Sequence, residues 1–194
     1  MSHAAAAHHT STGLDSRKIA FWTFIGSECL LFGALISTYL VYAGRSVRGP
    51  LPHEILNIPL TSISTFVLLM SSLAMVLALA AVERGDRVWG RVWLATTAAL
   101  GTVFLGFQVY EFVTFVHEGL TLQQNLFGST FFVLTGTHGA HVAVGVLWLL
   151  TLLVRSFQGK LGPEKALNVE LAGLYWHFVD VVWIVIFTVV YLLQ

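Results

Sequence analysis

Five apolar runs, each long enough to cross a bilayer, constrain this chain more than any other feature. A spanning helix needs about 20 mostly apolar residues. Segments 19–42, 58–82, 92–116, 126–154 and 171–193 each supply them. Charged residues make up 10% of the chain and hydrophobic ones 56%, whereas a soluble domain carries about 25% charged residues. The expectation is an all-α membrane protein. Residues 1–16 form a polar tail, and 17–194 form a single five-helix transmembrane domain. The tail is small and polar, and the run after it is too long for a signal-peptide core, so the first run is expected to remain as a span. His3, His8 and His9 belong to this tail and read as part of a solvated segment.

The connections 43–57, 83–91, 117–125 and 155–170 hold turn residues such as Pro50, Pro52, Gly119 and Pro163, and none is long enough for a separate domain. No internal repeat is visible, which argues against the inverted-repeat plan of many transporters. Eight of the ten basic residues fall on one side: Arg17 and Lys18, then Arg84, Arg87 and Arg91, then Arg155, Lys160 and Lys165. Only Arg45 and Arg48 fall on the other. Positive charge favours the cytoplasm, so the N-terminus is expected inside and the C-terminus outside. A formal net charge of zero gives no reason to expect nucleic acid as a partner. The single cysteine, Cys29, excludes an intrachain disulfide and a cysteine metal cluster. It reads as a small buried apolar residue.

Ionisable groups at membrane depth are costly, and each is a functional hypothesis. The candidates are Glu28, Glu111, His138, His141, His177 and Asp180. At about 1.5 Å of rise per residue, Glu28 lies roughly 15 Å in from Lys18, and His138 lies roughly 20 Å in from Asn125 on the other side. Glu28 and His138 are therefore expected to meet across the first and fourth spans. His141 stacks one turn from His138 and should share a depth with His177 or Asp180. Glu111 sits near the outer end of the third span, one turn after Gln108. Three roles compete for these residues: polar ties between helices, proton relay or buffering, and cofactor ligation. His141 and His177 are the one pair placed to hold a haem between two helices. No His-Glu-x-x-His or Cys-x-x-Cys-His motif is present, and the histidines are too few for a haem–haem–copper centre. No metal site is expected in this chain.

Gly33 with Ser37, Gly136 with Ala140 and Gly139 with Ala143 are small-x-x-x-small pairs that permit close helix approach. Gly145 is grouped with them as a packing residue. Trp22, Trp89, Trp93, Tyr42 and Tyr191 fall near span ends, as interfacial anchors do. Phe131 and Phe132 read as lipid- or helix-facing surface.

Four segments in order carry a family resemblance: FWTFIGSECLLFGALISTYLVY from Phe21, Gln108 to Glu111 as Q-x-x-E, GSTFFVLTGTHGAHVAVG from Gly128 to Gly145, and YWHFVDVVW from Tyr175 to Trp183. Together they resemble cytochrome c oxidase subunit III and its quinol-oxidase counterparts, in the shorter five-helix bacterial form. The resemblance covers nearly the whole chain after Arg17. It implies a V-shaped bundle with a phospholipid-binding cleft in the bacterial plasma membrane, and no redox centre in this chain. Haem and copper would reside in partner subunits. Subunit I is the implied main partner, with subunit II, a small subunit IV, membrane lipids and a respiratory supercomplex as further ones. The implied role is to support sustained, proton-coupled oxygen reduction by a proton-pumping terminal oxidase. Glu28 matches the family's carbodiimide-reactive buried carboxylate, and His138, His141, His177 and Asp180 match its buried polar positions. The short loop carrying His117 and Glu118 departs from the family pattern. Alternative readings are a subunit III of a quinol oxidase or of a nitric-oxide-reductase-associated homologue, a small bis-histidine cytochrome, and a transporter or proton channel working alone through Glu28.

Overall fold

The structure is a computed structural model, and it describes residues 15–46 and 49–193. The tail histidines and Arg48 lie outside the described residues. Helix α1 spans Ser16–Tyr42, a short α2 spans Pro52–Ile55, and α3 spans Ile58–Glu83. Helix α4 spans Arg87–His117, α5 spans Leu126–Phe157 and α6 spans Ala166–Phe187. A 3-10 turn at Pro163–Lys165 leads into α6, and a π-helical turn at Thr188–Leu192 ends it. Five of these helices are long and apolar enough to cross a membrane, so the all-α, five-span architecture is as expected.

Helices α1 and α4 start earlier than their apolar runs, because polar caps extend them. Asp15 accepts from the Arg17 N–H at 2.8 Å and starts α1. Asp86 accepts from the N–H groups of Val88 and Trp89 and starts α4 five residues before its apolar run. Asn125 accepts from the Gly128 N–H at 2.7 Å and starts α5 where expected. Each satisfies backbone donors that the first turn leaves orphaned.

Helices α3, α4, α5 and α6 form a closed ring in which each packs on the next and α6 returns to α3. Helix α1 leans on the seam between α5 and α6. The contacts therefore describe one ring and one leaning helix. On α1 only Ile25, Phe32 and Tyr39 are buried, at a spacing of seven residues. Glu28 falls between the first two of these, so the same seven-residue stripe that faces the seam carries the carboxylate inward.

Lipid tails are as apolar as leucine, so close packing and polar ties hold these helices together. Trp176 shows both. Its ring lies between Gly101 of α4 and Gly145 of α5, and its Nε1–H donates to Ser71 Oγ of α3 at 2.9 Å. A Cβ on Gly145 would stand 2.8 Å from Trp176 Cζ3. Gly139 leaves room in the same way for the Gln108 carboxamide, whose Nε2 donates to Thr135 O at 2.6 Å. Gly136 is looser, with only Phe112 within reach at 3.8 Å.

Four expectations need correction. Gly33 and Ser37 are exposed and nothing lies near Gly33, so this pair packs no helix within the chain. Cys29 is exposed, because it lies on the α1 face turned from the seam. Tyr191 is 1% exposed and belongs to the core; the π-helical turn holds it there. Phe131 is fully buried at the centre of an aromatic cluster with Phe112, Phe115 and Phe127. Trp22 and Trp89 are exposed near helix starts, as interfacial anchors are.

Alternate connections meet at the same end of the bundle. Gly85 approaches Pro163, and Lys18 pairs with Glu170 at 2.6 Å. At the other end Ser46 accepts from the Phe127 N–H, and Asn125 donates to Pro50 O.

Candidate functional site

The seam between α1 and α5 holds a carboxylate and an imidazole in direct contact. Glu28 Oε2 lies 3.1 Å from His141 Nε2, with side chains 15% and 19% exposed. The expected partner was His138, and the difference follows from helix rotation rather than depth. His138 turns into the ring, while His141, three residues on, points to the seam where α1 leans. His138 is fully buried, its Nε2 donates to Val179 O at 3.2 Å, and its ring lies 4.8 Å from that of Trp183.

The hydrogen bonds of His141 restrict its proton positions. Nδ1 lies 2.8 Å from Thr137 O, an acceptor only, so Nδ1 carries a hydrogen. The contact between Nε2 and Glu28 then holds one proton. It sits on nitrogen, giving imidazolium and carboxylate, or on oxygen, giving a neutral imidazole and a neutral carboxyl. Both arrangements have zero net charge, which lowers the cost of the site at membrane depth. Aromatic rings enclose the pair. Phe32 meets His141 edge-on at 5.0 Å, and Tyr175 lies against its other side with Oη donating to His141 O at 3.0 Å. A groove of about 300 Å³ lined by Phe24, Ala140, His141, Val144, Trp148 and Tyr175 opens beside it.

The remaining candidates form separate clusters. His177 and Asp180, i and i+3 on α6, both reach Ser72 of α3. His141 and His177 face different seams, α1–α5 and α3–α6. They present no facing pair, and both ring nitrogens of His141 are already engaged. Glu111 is buried and accepts from Thr61 Oγ at 2.5 Å, at the base of a groove of about 670 Å³ between α3 and α4. Glu118, singled out in the sequence as part of the departing loop, lines the rim of that groove. Among the described residues, no group of three or more His, Cys, Asp or Glu is placed to hold a metal ion.

Sequence reasoning missed Ser72, Thr61 and Thr137 as partners of these groups. Hydroxyls on an apolar helix are common, and only the packing of α3 on α6 and α4 picks out Ser72 and Thr61. Trp176 was visible inside YWHFVDVVW but not as the wedge between Gly101 and Gly145.

Five helices long and apolar enough to span, with polar clusters between them, define a polytopic all-α membrane protein. The comparisons with known proteins make the class specific. The family profile of cytochrome c oxidase subunit III matches residues 1–194. Cytochrome c oxidase subunit 3 of Bacillus sp. (strain PS3) is 43% identical over 98% of this chain and 92% of its own length. Quinol oxidase subunit 3 of Bacillus spizizenii is 40% identical over 99% of this chain and 94% of its own length. Cytochrome c oxidase subunit 3 of Alkalihalophilus pseudofirmus is 39% identical over 97% and 98%. The chain belongs to the cytochrome c oxidase subunit III family.

Proposed function

We propose that this chain is the non-catalytic subunit III of a respiratory haem-copper oxygen reductase of the cytochrome c oxidase type. In this reading haem and copper are held by partner subunits, with subunit I as the main contact and subunit II beside it. The chain lies in a bacterial plasma membrane with its N-terminus cytoplasmic, the orientation that eight of ten basic residues on one side favour. It binds phospholipid and supports proton-coupled turnover without doing redox chemistry itself.

The observation that carries the reading is the Glu28–His141 pair at 3.1 Å. It is a proton-holding site of zero net charge, walled by aromatic rings and set beside a groove open at the surface of the bundle. Such a site holds its shared proton without placing a net charge in hydrocarbon. In the assembled oxidase, Glu28→Ala is expected to leave the initial rate of oxygen reduction nearly unchanged and to shorten the time for which turnover is sustained. Immediate, complete loss of haem from the complex in that variant would contradict the proposal.

Quinol is the second reading for the electron donor, favoured by the quinol oxidase relatives at 40% identity. Purified complex that oxidises reduced cytochrome c and not quinol decides for the first reading; the reverse decides for the second.

A further inference from the structure

The seam between α3 and α6 carries a second polar cluster, one that the proposed function does not use. Ser72 Oγ lies 2.8 Å from His177 Nδ1 and is also hydrogen-bonded to Asp180 Oδ2. His177 and Asp180 themselves form no ion pair. Among the described residues Ser72 is the one side chain hydrogen-bonded to Asp180, and Asp180 Oδ1 has no partner. Exposure falls along the cluster: His177 is half-buried at the seam, while Asp180 is 3% exposed.

We propose that His177, Ser72 and Asp180 form a proton-transfer unit that takes up one proton at His177 and stores it on Asp180. A hydroxyl donates one hydrogen and accepts another, so Ser72 joins its neighbours in two ways. In the first, His177 Nδ1–H donates to Ser72 Oγ, and the Ser72 hydroxyl donates to an ionised Asp180. In the second, a protonated Asp180 donates through Oδ2 to Ser72 Oγ, and Ser72 donates to a bare Nδ1.

A proton arriving at His177 Nε2 converts the first arrangement to imidazolium and carboxylate. The Nδ1–H bond then breaks as a Ser72 O–H bond forms, and the old Ser72 O–H bond breaks as an O–H bond forms on Asp180 Oδ2. The products are neutral His177, protonated on Nε2, and neutral Asp180. The separated charges are cancelled inside the bundle, and no other reactant is needed. Of the helices packed on α6, α3 brings no titratable side chain between its ends. Helix α5 brings His138, bound to Val179 O, and His141, bound to Glu28 of α1; Lys18 at the start of α1 is bound to Glu170. None of these touches Asp180.

The test is infrared difference spectroscopy of the assembled complex through pH steps, in water and in deuterium oxide. A protonated carboxyl band is expected that survives Glu28→Gln and Glu111→Gln and disappears in Asp180→Asn. Its deuterium exchange is expected to slow about tenfold in Ser72→Ala and to stay near the wild-type rate in Ser72→Thr. If Ser72→Ala does not assemble, His177→Phe interrupts the same path and is expected to slow the exchange likewise. Absence of the band at every pH, unchanged exchange in Ser72→Ala or His177→Phe, or equally slow exchange in Ser72→Thr would overturn the proposal.

Discussion

At the residue scale the structure turns on which hydrogen each polar group holds. Glu28→Gln keeps a donor to His141 Nε2, whereas Glu28→Ala leaves that nitrogen unpartnered in a half-buried site. An unpartnered buried polar group costs about 1–3 kcal/mol. Glu28→Ala is therefore expected to lower the temperature at which the subunit dissociates from its complex, and Glu28→Gln to lower it much less. Dissociation followed by native gel against temperature checks this, and equal losses in both variants would place the role of Glu28 in its charge. Glu28 and the four polar residues of α5 and α6 were legible in the sequence because ionisable groups are rare in apolar runs. The pairing with His141 was not. Depth along the helices placed Glu28 near His138, and only the rotation of α5 about its axis separates two histidines one turn apart.

At the element scale, helix contacts are set by small residues opposite large ones. Gly145→Val is expected to drive Cβ into Trp176 and prevent close packing of α5 on α6, with loss of the folded chain from detergent extracts. Gly33→Val at an exposed site is expected to have no such effect on the isolated fold. Size-exclusion profiles of the two variants in mild detergent separate these outcomes. Both glycines read as packing residues in sequence. The three-dimensional partner distinguishes them: Trp176 for Gly145, and nothing within the chain for Gly33.

The start of α1 responds to pH. Arg17 beside Asp15 holds its carboxyl below the usual carboxylate range through a side-chain hydrogen bond. A depressed carboxyl contributes its cap above the ordinary carboxylate range and loses it as pH falls through the lowered value. Amide exchange in the first turn of α1 is expected to quicken on that acidification, and in Asp15→Ala at neutral pH. An unchanged first turn in both cases would mean that the cap is not what holds it. Helix existence was legible from apolar runs. Two of the helix starts, those of α1 and α4, needed the caps, which lie where hydropathy is already polar.

At the scale of the whole molecule, a four-helix ring with one leaning helix presents most of α1 outward, with Trp22, Leu30, Leu31 and Leu40 exposed. Such a face belongs against lipid or a partner subunit. The five-span count and the family were legible from runs and motifs. The ring was not, because lateral packing order leaves no periodic mark on helices that are apolar all round.

In the proposed function this chain is a cofactor-free subunit of a haem-copper oxidase. A reduced-minus-oxidised absorption spectrum of the mildly solubilised complex, tagged on this chain and measured again after the chain is stripped free, tests it most directly. Haem bands and oxygen consumption are expected in the complex, and a colourless free chain. Haem retained by the free chain would make its histidines ligands and contradict the assignment.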